Sequence, residues 1–219
     1  MKQSLAIFDL DNTLLAGDSD HAWGEFLVEQ SLVDPVTHKD QNDKFYEDYC
    51  RGELDILAYQ RFALSTIAGK TPQELKSLHD QFMTSYVEPM FLPAAMELLD
   101  KHRQQDHLLM IITATNDFIT APIAKRLGVD HLLACTADIS GGVFTGDIVG
   151  IPCFQEGKVK RLMEWLDSND HSLDGSFFYS DSHNDIPLLE TVDHAVAVDA
   201  DERLTAHANK EGWPVISLR

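Results

Sequence analysis

Short apolar runs that each stop at a polar residue recur along this chain, and they constrain its fold more than any other feature. The first run, Leu5 to Phe8, ends at Asp9. Uninterrupted runs of this length are typical of strands buried on both faces. The later runs are His107 to Ile112 before Thr113, Ser176 to Tyr179 before Ser180 and Asp181, and His194 to Val198 before Asp199. Because helical patterns separate them, we predict an α/β fold with a Rossmann-like parallel sheet covered by helices on both faces.

The region between Gly17 and about Pro93 has no strand-like run, and its signals are helical. Asp34 followed by Pro35 indicates a helix start, and so does Thr71-Pro72-Gln73-Glu74, which has the pattern of a capping box. We predict an insert of about four amphipathic helices over residues 17–92. The core then comprises residues 1–16 and 93–219, with a hinge near Gly17 and Pro93. Beyond the insert, Gly141-Gly142 between apolar alternations predicts a β-hairpin.

Charge and composition exclude several kinds of partner. The 219 residues are 44% hydrophobic, as in an ordinary soluble globular protein, and carry a formal net charge of −19. Such a charge opposes binding to nucleic acid and to anionic membranes, so neither partner is expected. The first apolar run is too short for a signal sequence or a membrane span. Three widely spaced cysteines, Cys50, Cys135 and Cys153, indicate reduced thiols and a cytoplasmic location.

A first pair of carboxylates follows the first predicted strand. In Asp9-Leu10-Asp11-Asn12-Thr13, the two Asp side chains are two positions apart and can face one crevice at the edge of the sheet. One carboxylate can then attack or hold a metal ion while the other transfers a proton. The alternative is a plain turn, in which Asp and Asn are common.

A second acidic pair follows a later strand, in Tyr179-Ser180-Asp181-Ser182-His183-Asn184-Asp185. Asp185 also suits a helix cap, but a cap does not explain Asp181. Thr113, with Ala114, Thr115 and Asn116 after it, offers a hydroxyl and backbone N–H groups that can cradle a phosphate, or simply a helix cap. Gly157-Lys158 begins an amphipathic helix, where a lone Lys is usually solvated.

Taken together, Asp-x-Asp-x-Thr, Thr, Lys and Ser-Asp-x-x-x-Asp occur in an order that resembles the haloacid dehalogenase (HAD) superfamily of hydrolases. The resemblance covers the whole chain and is to the phosphoserine phosphatase-like branch, subfamily IB, which includes histidinol-phosphatase-like proteins. It implies a HAD core with an inserted, all-helical C1-type cap domain.

The resemblance implies a Mg²⁺-dependent phosphatase of small soluble phosphomonoesters. Asp9 would be the nucleophile that forms an aspartyl-phosphate, Asp11 the general acid and base, and Lys158 the group that neutralises phosphate. Mg²⁺ would be held by Asp9, the Asp11 backbone carbonyl and Asp181, with support from Asp185. The residues expected to contact substrate are Thr113, Ala114, Asn116, Asn184, Asp18, Asp20 and Arg51.

The insert is expected to select the substrate. Asp18 and Asp20 lie at the hinge, where an acidic residue resembles the amine-binding Glu of phosphoserine phosphatases, although Asp18 and Ser19 equally suit a helix cap. Tyr46, Arg51 and Arg61 are weaker candidates. Phosphoserine phosphatases usually have a glycine pair after the second-motif hydroxyl, whereas Ala114-Thr115-Asn116 follows Thr113 here. This departure favours histidinol phosphate, with phosphoserine as the alternative, and a role in amino-acid biosynthesis. A second departure is Ser182, where Gly is common.

Other classes of function stay open at this level. A non-catalytic metal-dependent binding or regulatory module on the same fold is one, and a phosphotransferase is another. None of Asp9, Asp11, Lys158 and Asp181 has been replaced, which disfavours the binding module. His183 is the one histidine placed to touch substrate. The chain is expected to be a monomer or a homodimer.

Overall fold

A single seven-stranded sheet forms the centre of the computed structural model, which describes residues 3–219. The strands in chain order are β1 (Leu5–Phe8), β2 (Leu108–Asn116), β3 (His131–Ser140), β4 (Val143–Val149), β5 (Phe177–Ser180), β6 (His194–Val198) and β7 (Val215–Ile216). Their order across the sheet is β4-β3-β2-β1-β5-β6-β7. Every neighbouring pair is parallel except β3 with β4. The predicted α/β fold with a parallel sheet is confirmed.

Helices connect these strands and account for the insert. The α-helices of the described residues are α1 (Ser19–Glu29), α2 (Pro35–Arg51), α3 (Ile56–Ser65), α4 (Pro72–Phe82), α5 (Pro93–Gln104), α6 (Asp117–Leu127), α7 (Glu156–Ser168), α8 (Ile186–Leu189) and α9 (Glu202–Glu211). A π-helical segment (Met83–Val87) and a 3-10 turn (Glu88–Met90) follow α4. The insert therefore has the four α-helices predicted, while its boundaries as a separate domain stay a prediction. None of the helices in residues 3–219 combines the length and apolar character that a membrane crossing requires.

The predicted helix starts are confirmed by their hydrogen bonds. The Asp34 side chain accepts from the N–H groups of Val36 and Thr37 at the start of α2. Thr71 and Glu74 form both bonds of a capping box at the start of α4. These local signals were readable because each cap involves residues only two or three positions apart.

Three strands differ from the prediction, among them the short β7, which no apolar run indicated. β2 continues through Asn116, so the segment from Thr113 belongs to the strand rather than following it. The first half of β3, which pairs in parallel with β2, was not predicted. The hairpin was predicted correctly: Gly141 and Gly142 form its turn with φ of 60° and 85°. A turn with two positive φ values favours glycine at both positions.

The two faces of the central strand pack against different cores. Along β1, Ala6 and Phe8 belong to the apolar cluster that also contains residues of the insert, such as Phe82. Leu5 and Ile7 belong to the cluster on the opposite face, which includes residues of α7 and α9. This alternation follows from the two-residue period of a strand, and it fixes the direction in which β1 delivers Asp9.

The two chain segments that connect the insert to the core run side by side. Leu15 and Phe91 form an antiparallel bridge, and the Ala16 N–H donates to the carbonyl of Met90 over 2.8 Å. Both segments lie near the carboxyl end of β1, so the insert stands over the edge of the sheet at which the polar residues emerge.

Candidate active site

Asp9 stands at the carboxyl end of the middle strand, between the ends of β2 and β5. Its N–H donates to the carbonyl of Tyr179 over 2.9 Å, which continues the β1–β5 pairing. The residue is 4% exposed, and Oδ1 accepts a hydrogen bond from Nζ of Lys158 at 2.8 Å. Burial raises the pKa of Asp9 to about 7, with Lys158 opposing this rise and Asp185 adding to it.

Lys158 enters the site from the first turn of α7. Its buried ammonium group also donates to the Asp185 carboxylate, with Nζ at 2.7 and 2.8 Å from the two oxygens. Burial lowers the pKa of Lys158, but the charges of Asp185 and Asp9 outweigh that effect and raise it, so the group stays protonated. At Gly157 a Cβ atom would lie 2.0 Å from the carbonyl oxygen of Pro152, so the turn that delivers Lys158 requires glycine here.

Asp185 faces the interior rather than the helix that it precedes. Its side chain makes no capping hydrogen bond to α8, so the predicted capping role is wrong. The reason is that Lys158 and the hydroxyl of Ser180 both donate hydrogen bonds to the Asp185 carboxylate. Ser180 Oγ donates to Oδ2 over 2.7 Å.

Asp181 is tied to the loop that follows β1. Thr13 Oγ1 donates to Asp181 Oδ1 over 3.0 Å, and the N–H of Asp181 donates back to Thr13 Oγ1 over 3.1 Å. Burial raises the pKa of Asp181 well above its ordinary value, and the charges of Asp9 and Asp185 raise it further. The three carboxylates therefore lie within range of one another's charge.

Asp11 is held by two donors. The N–H of Ser19 donates to Oδ1 over 2.6 Å, and Thr115 Oγ1 donates to Oδ2 over 2.9 Å. Burial nevertheless raises the pKa of Asp11 to about 6, and the charge of Asp18 adds to the rise. Sequence reasoning assigns Thr115 no role of its own, although it lies two positions after Thr113 on the same strand and thus on the same face.

The phosphate-binding candidates on β2 divide into two groups. Thr113 and Ala114 line the chamber above Asp9. Gln60 of α3 donates through Nε2 to the carbonyl of Ala114 over 3.0 Å, which ties the insert to this strand. Asn116 is not among the lining residues; it caps α6 by accepting from the N–H of Ile119.

The chamber has acidic and aromatic walls. Among the described residues that line it, Lys158 alone carries a Lys or Arg side chain. The acidic lining residues are Asp9, Asp11, Asp18, Asp20 and Asp185, and the aromatic ones are Phe45, Tyr46, Tyr49, Tyr59 and Phe154. Of these aromatic residues only Tyr46 was considered from the sequence.

The two hinge carboxylates have different environments. Asp18 caps α1, accepting from the N–H groups of Asp20 and His21, and it also lines the chamber. Asp20 is 5% exposed, and neither of its carboxylate oxygens has a hydrogen-bond partner among the described residues. Burial raises the pKa of Asp20 well above its ordinary value, and the charges of Asp18 and Asp11 add to the rise, while Tyr59 opposes part of it.

Three cap and loop candidates lie outside the chamber lining. Arg51 is exposed and pairs with Glu47, Asp48 and Glu53 on the surface. Arg61 pairs with Asp147 of β4. His183 contacts Asp201 over 2.7 Å and lines a second cavity beside Asp181. Asn184, by contrast, lines the chamber and is 3% exposed.

The acidic cluster suits a hard cation by its chemistry. Asp9 and Asp185 are buried and Asp181 is half-buried, and among the described residues the ammonium group of Lys158 pairs with Asp9 and Asp185 and balances part of this charge. Oxygen ligands of this kind are the ones that Mg²⁺ prefers. Within residues 3–219, however, no three His, Cys, Asp or Glu side chains are already grouped around one point as ligands.

Comparison with known proteins places the chain in a family. The model of the haloacid dehalogenase-like hydrolases matches residues 6–190. A histidinol-phosphatase of Neisseria meningitidis serogroup C (strain 8013) is 39% identical, and the alignment covers 99% of this chain and 100% of that protein. A phosphoserine phosphatase of Mycobacterium tuberculosis is 31% identical, with 98% and 70% covered.

A solved structure extends the likeness to the whole fold. A protein of unknown function from Bordetella pertussis Tohama I shares 40% identity and superposes with a TM-score of 0.93, with 100% of both chains covered. The strand order and the insert described above are therefore found in a relative of the same length.

Proposed function

The chain belongs to the haloacid dehalogenase-like hydrolases and is a phosphatase of small phosphate esters, and we propose that it hydrolyses histidinol phosphate through a phosphoryl intermediate on Asp9. The observation that carries the proposal is the bond from Lys158 to Asp9 inside a chamber whose other walls are acidic and aromatic. The pair supplies a nucleophile and a cation for phosphate, and the walls supply the groups that select the rest of the substrate.

In the first step the Asp9 carboxylate attacks phosphorus, and the ester P–O bond breaks. The leaving alkoxide takes a proton from Asp11, whose pKa of about 6 lets a fraction of the group stay protonated near neutral pH. Asp11 is held for this task by Ser19 and Thr115. The products are the free alcohol, a phosphoryl group on Asp9 and an ionised Asp11.

In the second step Asp11 takes a proton from water, and the water oxygen attacks phosphorus. The bond between phosphorus and the Asp9 oxygen breaks, phosphate leaves, and both carboxyl groups regain their starting forms. One residue thus acts first as acid and then as base, as microscopic reversal of the proton transfer requires.

Lys158 and Thr113 are proposed to bind the phosphoryl oxygens. The ammonium group already lies against Asp9, so a phosphate that reaches Asp9 also reaches Lys158. Thr113 lines the same chamber from the end of β2. Positioning and charge stabilisation of this kind account for most of the catalysis of phosphoryl transfer.

Mg²⁺ is proposed as the cofactor, held by Asp9, Asp181, the Asp11 backbone carbonyl and, in support, Asp185. The fit rests on the donor chemistry and on the charges of Asp9 and Asp185, which add to the effect of burial in raising the pKa of Asp181. When bound, the ion would offset the repulsion between the carboxylates and the incoming phosphate.

The walls of the chamber favour a cationic substrate without a carboxylate. Asp18 and Asp20 suit an ammonium or imidazolium group, and Tyr46 and Tyr59 offer aromatic faces to a ring. Lys158 is assigned to phosphate, so no second Lys or Arg among the described lining residues can pair with the carboxylate of phosphoserine. Histidinol phosphate carries an ammonium group and an imidazole but no carboxylate, and the relative of 39% identity is a histidinol-phosphatase.

Phosphate release from histidinol phosphate, phosphoserine and 4-nitrophenyl phosphate, each with Mg²⁺, tests the proposal. We expect kcat/KM to be highest for histidinol phosphate and activity on all three to vanish in Asp9→Asn. Higher kcat/KM for phosphoserine would overturn the substrate, and full activity of Asp9→Asn would overturn the mechanism.

A further inference from the structure

Ser182 has a structural task that the proposed mechanism does not use. It is 3% exposed and lies between Asp181 and the short turn that carries Asp185. Its Oγ accepts from the backbone N–H of Asn184 over 3.2 Å and lies 3.3 Å from Asn184 Nδ2. A glycine at this position, as the resembled family commonly has, would supply neither contact. The hydroxyl of Ser182 therefore orients Asn184.

Asn184 in turn joins the core to the insert. Its Nδ2 donates to the backbone carbonyl of Tyr49, near the end of α2, over 3.1 Å. Its Oδ1 accepts from Nε2 of Gln155, the residue before α7, over 3.0 Å. Asn184 is 3% exposed, so bulk water competes poorly for these bonds. One amide group thus connects α2 of the insert with two parts of the core. These are the loop that carries Asp181 and the residue that precedes α7, the helix of Lys158.

Tyr46 lines the same two cavities as Tyr49, and Tyr49 forms part of the partition between them. On one side it lines the catalytic chamber together with Asp9 and Lys158. On the other side it lines the second cavity together with Asp181 and Ser182. Its ring packs against Phe154, with 6.1 Å between the ring centroids.

The phenol of Tyr49 is neutral in this position. Burial raises its pKa well above the ordinary value, and the charges of Asp181, Asp9 and Asp185 raise it further, while Ser182 opposes part of the rise. The charges that raise this pKa and the residues that line the two cavities agree: both place Tyr49 beside Asp9, Asp181 and Asp185.

We infer that Ser182 and Asn184 are positioning residues that seat Tyr49 as the partition over the active site, and thereby tie closure of α2 to the loop that carries Asp181 and Asp185. The inference rests on the proposed function only for its kinetic readout. Seating the partition keeps the substrate in a closed chamber, so its loss weakens substrate binding more than it slows the chemical step.

Kinetics of Ser182→Ala, Tyr49→Ala and the double variant test the coupling. Loss of one buried hydrogen bond corresponds to a change of roughly 3- to 10-fold, so we expect KM for histidinol phosphate to rise by about that factor in Ser182→Ala. Tyr49→Ala should raise KM at least as much, and the double variant no more than Tyr49→Ala alone. Tyr49→Phe, which keeps the partition, should restore KM to near the wild-type value.

Ser172→Ala is the matched control, because the Ser172 hydroxyl bonds locally to Asp174 on the surface. It should leave KM unchanged. Effects of Ser182→Ala and Tyr49→Ala that multiply in the double variant would overturn the inference, and so would an unchanged KM in both.

Hydrogen exchange provides a readout that needs no activity. In the ligand-free protein, Ser182→Ala should increase amide exchange in the last turn of α2, around Gly52, by about 3- to 10-fold. Tyr49→Ala should increase it in the turn His183–Asp185, while exchange in α5 stays unchanged in both. If wild type releases no phosphate from any ester, the proposed function fails, but exchange still decides this inference. Unchanged exchange in both the last turn of α2 and the turn His183–Asp185 would overturn the inference. If Ser182→Ala does not fold, exchange in Tyr49→Ala decides it.

Discussion

The hydroxyl of Thr13 lies 3.0 Å from the Asp181 carboxylate, although 168 positions separate the two residues in the chain. The same oxygen accepts the backbone N–H of Asp181 over 3.1 Å. One side chain thus fixes both the backbone and the carboxylate of a proposed metal ligand, and it joins the loops that follow β1 and β5.

Replacing Thr13 by Val should weaken the response to Mg²⁺. The Thr13 hydrogen bond lowers the pKa of Asp181, so its loss raises that pKa and leaves a half-buried carboxylate without this donor. We expect the Mg²⁺ concentration for half-maximal activity to rise by about 3- to 30-fold, which corresponds to roughly 0.6–2 kcal/mol. Thr205→Val, on α9, is the control and should not shift the titration. An unchanged Mg²⁺ dependence in Thr13→Val would contradict this role.

Replacing Lys158 by Met should cost both activity and stability. The change leaves Asp9 and Asp185 buried beside each other without their ammonium partner, and breaking a buried pair in this way costs about 3–5 kcal/mol. We also expect kcat/KM to fall by ~10²-fold or more, because the cation for phosphate is lost. Urea unfolding and phosphate release measure the two effects. The exposed neighbour Lys160 gives the control Lys160→Met, and equal stability of the two variants would refute the buried-pair argument.

Asp11→Asn should distinguish esters by their leaving groups. An alkoxide leaving group needs the proton that Asp11 supplies, whereas 4-nitrophenolate leaves without one. In single-turnover experiments we expect the rate constant of the first step to fall by about 10²- to 10⁴-fold for histidinol phosphate and by clearly less for 4-nitrophenyl phosphate. Equal losses for both esters would show that Asp11 does not act as the acid in the first step.

Asp20→Asn should reduce selectivity for a cationic substrate while leaving the reaction itself intact. The Asp20 carboxylate is buried without a hydrogen-bond partner among the described residues, so a ligand with N–H donors is the natural partner for it. We expect kcat/KM for histidinol phosphate to fall by about 10-fold or more, and that for uncharged aryl phosphates to change little. The variant should also be more stable near neutral pH, since the folded state no longer bears the cost of a carboxyl group whose pKa burial raises. Asp80→Asn, at the exposed ion pair with Lys76, is the control.

Acid should destabilise the fold through His102. Burial lowers the pKa of this imidazole from 6.5 to about 4, and the neighbouring charge of His107 adds to the effect. The folded state therefore binds fewer protons than the unfolded state between these values, so the contribution to stability is complete above about pH 6.5 and is lost as the pH falls toward 4. The loss amounts to at most about 3 kcal/mol.

Unfolding free energies of wild type and His102→Gln between pH 4 and 7 measure this contribution. The variant should show a flatter dependence on pH, although it also loses the contact with the Tyr179 hydroxyl. A His102→Gln slope equal to that of wild type would contradict the assignment.

Local signals made part of the fold readable from the sequence. Capping pairs such as Thr71 with Glu74 involve neighbours in the chain, so the residues alone determine them. The same holds for the buried run that ends at Asp9, because a fully apolar strand has few alternatives to the centre of a sheet. The parallel half of β3 was missed because its pairing with β2 is long-range and its sequence mixes polar and apolar residues.

The active site likewise divides into features that the sequence predicts and features that depend on long-range contacts. The order of the carboxylate, threonine and lysine motifs predicted which segments would meet at the edge of the sheet, and Asp9, Asp185 and Lys158 do meet there. The sequence does not reveal which residues after Ile112 share that face, because the apolar run ends at Ile112 whereas β2 continues through Asn116. In the structure Thr115 contacts Asp11, whereas Asn116, a predicted phosphate-binding residue, caps a helix.

By itself the sequence determined that a parallel sheet carries a helical insert, and it determined that acidic residues and one lysine emerge at strand ends and helix starts. Only the tertiary structure decided which face of the helices of the insert lines the chamber. Tyr49 and Arg51 are two positions apart on α2, yet the tyrosine lines the chamber and the arginine pairs with surface carboxylates. The physical reason is that the helical period defines the faces of a helix, whereas the rotation of that helix against the core depends on contacts made across more than a hundred residues, such as Asn184 with Tyr49.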